Sequence, residues 1–543
     1  MANAKAEDTP SHYHVQAARR IFPKTPALEA TVSKLSIIDA TVARFTPTAA
    51  IWLYDKSEAV QLPHAELFKI LELALSETLD SYRHFAGQIQ WATEDIVKNH
   101  VVPRHVGRPV VAHGAESDPG VELLIVDYDV NLHDVVPSRA DRTNSLKEWN
   151  ATDFRQSDFL PDTKIALSSL SAVQGLPSMA VQLTAFKCGG IGVSAMISHP
   201  LADALCLMSF MQLWAARSRD LLGRSSSSVT KGVLEPIFDP TLLDQVAGLC
   251  PGSPPDASKL EKARSLPMHR FDWWAEDAPG FPAGVKPTTR VTMPSPEELE
   301  NVTLSPSTPP PWLTWDMSAP VEHVQIRFSA AELTRMADAA QETLPDEIKT
   351  YRISRTDAVL AHIWILINRA RNLQGAQDKV YLDVTLGLRS RVNPPLPETF
   401  TGSPLLLGYV EKSVEEAASP QLGPIAGAIR KMMSHFTPDA VAAYIHDAAY
   451  EVSPQRLWQA FLGTHHTLVT SWVRTKAYEL DFFGTQELAR YVQAVMPKVD
   501  GLVHIMDIEE TGEFDISVCI EREAMHRLLQ DPLLRKYDGT TRD

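Results

Sequence analysis

Two histidines in this 543-residue chain stand four positions ahead of an aspartate, in His199-Pro-Leu-Ala-Asp203 and His435-Phe-Thr-Pro-Asp439. A histidine is suited to general-base work because its unperturbed pKa of about 6.5 leaves the neutral ring abundant near neutrality. Such a base takes the proton of a hydroxyl or amine as that group attacks a carbonyl, a contribution of roughly 10²–10⁴-fold in rate. The chain has no Gly-x-Ser-x-Gly elbow and no Cys-x-x-Cys pair, so no covalent nucleophile is marked. Asp203 falls one helical turn beyond His199, and the residues alone leave open whether it forms a dyad or braces the backbone. Read as metal ligands, the two lack a third His or carboxylate at helical ligand spacing, so no metal is expected.

The elements around His199 separate it from His435. Met179–Lys187 and the apolar run Ile191–Ile197 read as two strands joined by the turn residues Cys188-Gly-Gly190. Leu201–Leu222 follows as a long helix, with Leu205, Met208, Met211, Leu213 and Trp214 in its apolar stripe. His199 is thereby placed at a strand-to-helix junction, where two rigid elements fix a side chain. His435 lies in a loop-like stretch with nothing chemical around it.

Elsewhere, Leu67–Tyr82 has apolar residues at helical spacing. Ser329-Ala-Ala-Glu332 is a capping box opening a helix to about Ala340. Arg355–Arg369 reads as a helix and Tyr381–Leu388 as a strand. Leu502–Ile508 and Phe514–Cys519 read as a closing hairpin, followed by a short helix from near Glu523. Between the two halves lie Ser225–Ser228, Gly252-Ser-Pro-Pro255 and Ser305-Pro-Ser-Thr-Pro-Pro-Pro311, stretches that resist regular structure. The expected organisation is a domain over 1–224, a crossover over 225–320 that packs down in part through Trp273 and Trp274, and a domain over 321–543. The fold class is α/β with mixed sheets.

Composition narrows the function. A net charge of −16 argues against nucleic acid, which needs a concentrated basic footprint. The longest apolar runs are too short to span a bilayer, and no secretory signal is readable, so a cytoplasmic, monomeric protein is expected. Cys188, Cys206, Cys250 and Cys519 are scattered, which disfavours disulfides and zinc clusters. Cys188 and Cys206 read as buried small hydrophobes.

An ordered set of motifs runs along nearly the whole chain: Leu35-Ser-Ile-Ile-Asp39, Leu75–Gln88, the segment from Met179 to Arg219 with Lys187-Cys-Gly-Gly190 and His199…Asp203, Arg389 and Arg391 before Pro394-Pro-Leu-Pro397, Thr470-Ser-Trp472, Val499-Asp-Gly501 and Arg535-Lys-Tyr537. Together these resemble the HxxxD acyltransferases of plants and fungi, the BAHD family. Two departures stand out. The family's Asp-Phe-Gly-Trp-Gly loop is Asp481-Phe482-Phe-Gly484-Thr here, and its Gly-Asn pair is Gly402-Ser403, which loses the amide.

The resemblance implies two chloramphenicol-acetyltransferase-like domains of mixed sheets flanked by helices, with the active site in a channel between them. It implies transfer of an acyl group, acetyl by first expectation, from acyl-CoA as cosubstrate to the hydroxyl or amine of a small secondary metabolite. His199 is the implied base. Asp203 is implied to turn away from it and pair with an arginine, Arg389 by position, with Arg391 second. Thr470 and Trp472 are implied oxyanion or substrate contacts, although Trp472 could equally be a core aromatic. Asp481, Phe482 and Gly484 form the implied structural loop, and the helix cap at Ser329 is a candidate contact for the CoA phosphates. A carrier-protein condensation enzyme would carry a second histidine where Ser198 stands, and a non-catalytic relative would not need His199 with Asp203.

Overall fold

A computed structural model describes residues 12–92, 108–144, 146–224, 235–250, 252–285 and 290–539. The serine run Ser225–Ser228 lies outside the described residues. Two large sheets dominate. The first has six strands in the order Tyr13–Ile21, Val121–Tyr128, Met179–Phe186, Ile191–Ile197, Thr48–Tyr54 and Tyr491–Ala494. Only its Val121–Tyr128 and Met179–Phe186 pair is parallel. The second has seven strands in the order Leu405–Ser413, Lys379–Gly387, His466–Ser471, Leu502–Ile508, Glu513–Glu521, Val321–Phe328 and Glu148–Asn150. His466–Ser471 runs parallel to both of its neighbours. Both sheets are therefore mixed and flanked by helices.

Each half of the chain lends the other a strand. Glu148–Asn150 closes the second sheet, and Tyr491–Ala494 closes the first. The segment leading to that second loan is held by buried aromatic groups of the first half. Trp52 donates its indole N–H to the Ala477 carbonyl at 2.9 Å, and the Tyr54 hydroxyl donates to the Leu480 carbonyl at 2.8 Å. Aromatic side chains of this size bury about 150–250 Å² each and, when enclosed, need a partner for their polar atom. Both requirements are met here.

Where the elements depart from expectation, local chemistry explains it. The long helix starts at Ala204 and not Leu201, because Pro200 sits in a tight 3₁₀ turn and Asp203 supplies the cap, its carboxylate accepting from the Cys206 N–H at 2.9 Å. The helix expected over Leu67–Tyr82 spans His64–Leu79, following Pro63. The capping box at Ser329 and the closing hairpin form as read, and the helix expected over Arg355–Arg369 runs two residues further, to Arg371. Cys206 is buried as expected, but Cys188 is exposed, because the turn that carries it stands clear of the sheet. Phe271, Trp273 and Trp312 of the crossover make a separate aromatic cluster with Phe461 and Trp458 of the second half, and Trp274 is also buried.

Burial sets the acid stability. It pushes His84 and His504 down to about 3, and His199, His323 and His362 to about 4. An unfolded histidine titrates near about 6.5. Between that value and about 4 the unfolded chain binds protons that the folded chain refuses, so stability falls as pH falls through this window. Asp39, Asp244 and Asp507, raised by burial, pull the other way but are fewer. A melting temperature lower at about pH 5 than at about pH 7 is expected. Equal values would show that these rings do not govern the acid limb.

Candidate active site

The strand Ile191–Ile197 ends one residue before His199, which opens the 3₁₀ turn His199–Leu201. The junction is pinned on both sides. The Ser198 N–H donates to the Ser178 carbonyl at 2.9 Å, and the Thr48 hydroxyl donates to the Ala202 carbonyl at 2.6 Å. The imidazole is enclosed by protein yet keeps part of its surface accessible. Its Nδ1 lies 2.8 Å from the Ser403 hydroxyl, and Phe45 meets its face edge-on with centroids 5.1 Å apart. Desolvation lowers its pKa to about 4 against the opposing pull of Asp203, so the ring is neutral near neutrality.

Ser403 is itself held from a third part of the chain. Its N–H donates to Asp39 Oδ1 at 2.6 Å, and Asp39 is locked in a capping box with Ser36. Gly402 makes this approach feasible. It sits at φ +134°, and a Cβ there would lie 3.1 Å from Asp39 Oδ1. Burial raises Asp39 to about 6 against the hydrogen bonds from Ser36 and Ser403. Asp39, Phe45 and Ser403 were not singled out as site residues from sequence. The available signal was that Asp39 and Gly402-Ser403 both lie in family-like segments.

Asp203 is engaged by Arg389, and no hydrogen bond joins it to the ring. Arg389 donates to its two oxygens at 2.6 and 3.0 Å, and also to the Phe400 carbonyl at 2.9 Å. The Asp203 N–H donates to the Gly402 carbonyl at 3.0 Å. One carboxylate thus caps the helix behind His199 and fastens it to the loop that presents Ser403. Arg391 goes elsewhere, donating to the Met433 and Phe436 carbonyls.

The other candidates are dispersed. Thr470 lies on the strand His466–Ser471, opposite His504. Trp472 is buried, with its ring 5.8 Å from His504 edge-on. No hydrogen bond or ring contact joins either to His199 among the described residues. Asp481 accepts from the N–H groups of Phe483, Gly484 and Gln486 at 2.8–3.0 Å, which ties the loop into a tight turn. Phe482 is buried edge-on against Trp214, 5.1 Å away. Gly484 sits at φ +68° with Arg224 too close for a Cβ. A cavity of about 560 Å³ opens beside this loop, lined in part by Arg219, Arg224 and Lys476. Ser329 caps the helix Ala330–Glu342 and borders a cleft of about 500 Å³ with Arg139. His435 is exposed at a helix end, and Asp439 is 88% exposed beside Lys262, so this second motif is a surface feature.

Two mixed sheets that exchange edge strands, with a neutral histidine held where segments of both halves meet, define the class: the chloramphenicol-acetyltransferase-like fold. Solved structures agree at the level of fold. Vinorine synthase superposes with TM-score 0.59 at 18% identity, covering 95% of this chain and 98% of that one. Fusarium graminearum TRI101, complexed with coenzyme A and T-2 mycotoxin, gives 0.63 at 15%, covering 93% and 99%. The sequence model of the Transferase family matches residues 12–98, 137–241 and 295–534. The chain belongs to that family and is an acyltransferase of the BAHD type. Its relatives include the acyltransferase AFT15-1 of Alternaria alternata, 26% identical over 95% of this chain and 96% of that protein. Putrescine hydroxycinnamoyltransferase 1 of Oryza sativa subsp. japonica is 24% identical over 90% and 92%. No described helix is long and apolar enough to cross a membrane.

Proposed function

We propose that the protein transfers an acyl group, acetyl in the first instance, from acyl-CoA to a hydroxyl or amine of a small secondary metabolite, with His199 as general base. The observation that carries this reading is the hydrogen bond between His199 Nδ1 and Ser403. With Nδ1–H donating to the Ser403 hydroxyl, Nε2 keeps its lone pair and accepts the proton of the attacking group. The neutral state that burial enforces is the state a base requires. Attack forms a bond from the acceptor oxygen or nitrogen to the thioester carbon. The carbonyl oxygen takes up charge, and it is the family resemblance, not a contact with His199, that assigns the Thr470 hydroxyl and the Trp472 indole N–H to receive it. Collapse expels the CoA thiolate, and the imidazolium returns its proton to that sulfur, leaving the ring neutral. Asp203 takes no proton in this scheme; it fixes the backbone that aims the ring.

The donor assignment draws on the coenzyme A present in the structure of TRI101, together with the basic side chains at this protein's own clefts. With a chain charge of −16, the CoA phosphates gain nothing from long-range attraction and depend on local donors. Saturating acyl-CoA is expected to raise the melting temperature by mass action. Acyl-pantetheine is expected to be a much poorer donor, because it lacks the phosphates whose binding positions the arm. Equal rates with acyl-pantetheine, or turnover with a carrier-protein thioester alone, would remove the CoA assignment while leaving His199 in place.

A further inference from the structure

A second cluster of ionisable groups takes no place in the proposed acyl-transfer scheme. His269 comes from the crossover, Asp383 from the strand Lys379–Gly387, and His466 opens the parallel neighbour His466–Ser471. His466 Nδ1 is hydrogen-bonded to Asp383 Oδ2 at 3.0 Å, and His269 Nε2 lies 3.0 Å from Asp383 Oδ1. The three ligand-capable atoms all fall within 4.8 Å of one another. The side chains of His269, Asp383 and His466 are 9%, 0% and 2% exposed. Tyr409 and Phe271 stack on His269, and Tyr381 stacks on His466, so an aromatic collar holds both rings.

One detail does not fit a simple hydrogen-bonded group. His269 Nε2 and Asp383 Oδ1 are both buried and neither has a hydrogen-bond partner, although they are only 3.0 Å apart. The separation suits a hydrogen bond, but the directions do not. Buried polar atoms seldom go unsatisfied. His269 Nε2 and Asp383 Oδ1, side by side without bonding each other, are arranged as two ligands of one cation are. Two donors about 2.0–2.1 Å from a tetrahedral ion stand roughly 3.4 Å from each other. Among the described residues, the ion-pair partners of Asp383 are these two histidines alone, so no fixed side-chain cation occupies the position.

We infer that His269, Asp383 and His466 form a zinc(II) site that clips the crossover onto the second sheet. Two imidazoles and one carboxylate match zinc, whereas calcium and magnesium seek six or more oxygen ligands or retained waters. The ligands come from segments far apart in the chain, which is the arrangement by which a metal stabilises a fold. None of its three residues takes a role in the proposed acyl-transfer scheme.

The test uses the full chain, purified without chelator, incubated with zinc sulfate and dialysed. Elemental analysis is expected to find about one zinc per chain, with most of it lost in His269→Gln and Asp383→Asn. Cobalt(II) added to the zinc-free protein is expected to give visible ligand-field bands that those variants lack. Chelation should lower the melting temperature by several degrees and speed proteolytic cleavage of the crossover, both reversed by zinc and not by magnesium. His269→Gln lies at the cluster's more exposed edge, and the wild-type chelation and cobalt measurements need no variant to fold. Less than a tenth of an equivalent of zinc in the wild type, or equal zinc in wild type and both variants, would overturn the assignment. A melting temperature indifferent to chelator would do the same.

Discussion

Replacing His199 by alanine is expected to lower the acyl-transfer rate by roughly 10²–10⁴-fold, the usual worth of a positioned general base. The melting temperature should change little. The ring is partly accessible, lies beside a site and not within a packed core, and its removal strands only the Ser403 hydroxyl. His435→Ala is the control, because it alters an equally good motif on the surface and should behave as wild type. Ser403→Ala should fall between them. It leaves the base in place but frees Nδ1, so kcat should fall with KM little changed, and Ser403→Asn should recover part of the loss by restoring a side-chain partner. Steady-state kinetics beside thermal melts for the four variants decide the matter. If His199→Ala and His435→Ala lost equal activity, the assignment of chemistry to the strand-to-helix junction would be wrong.

The second large effect concerns Asp203. Its replacement by alanine should destabilise the fold by about 3–5 kcal/mol, the usual cost of leaving a buried charge without its partner, here Arg389. Loss of the helix cap adds about 1 kcal/mol. Activity should fall with it, because the same carboxylate holds the helix behind His199 to the loop carrying Ser403. Asp203→Asn keeps one oxygen that can accept from both the Cys206 N–H and one guanidinium N–H, as Oδ1 does in the wild type, so it should retain more of both properties than alanine. A catalytic dyad predicts a different pattern, with wild-type melting and lost activity in both variants. Finding that pattern would return Asp203 to the chemistry.

Much of this was legible locally. The hairpin before His199, the capping box at Ser329 and the closing hairpin depend on neighbours a few residues apart, and their turn residues and apolar spacing are written in order along the chain. Helix starts were displaced where a cap outweighed apolar periodicity, as Asp203 does for the helix at Ala204. The exposure of Cys188 was misread because a hairpin turn can stand clear of the sheet it connects.

By itself, then, the sequence determined the element types around His199, the family-like order of its motifs, and the distinction between His199 and His435. The family resemblance implied the Asp203–Arg389 pair, but only the tertiary structure decided the partners of His199 itself. Ser403 reaches His199 across 204 positions of chain and Asp39 reaches Ser403 across 364, and no local pattern encodes such an approach. Asp383 and His466 are 83 positions apart and share no spacing with His269, so the cluster they form has no sequence signature. The physical reason is common to all of these. A side chain's pKa, partners and chemistry are set by desolvation and by contacts that packing creates, and packing joins segments that the linear order keeps apart.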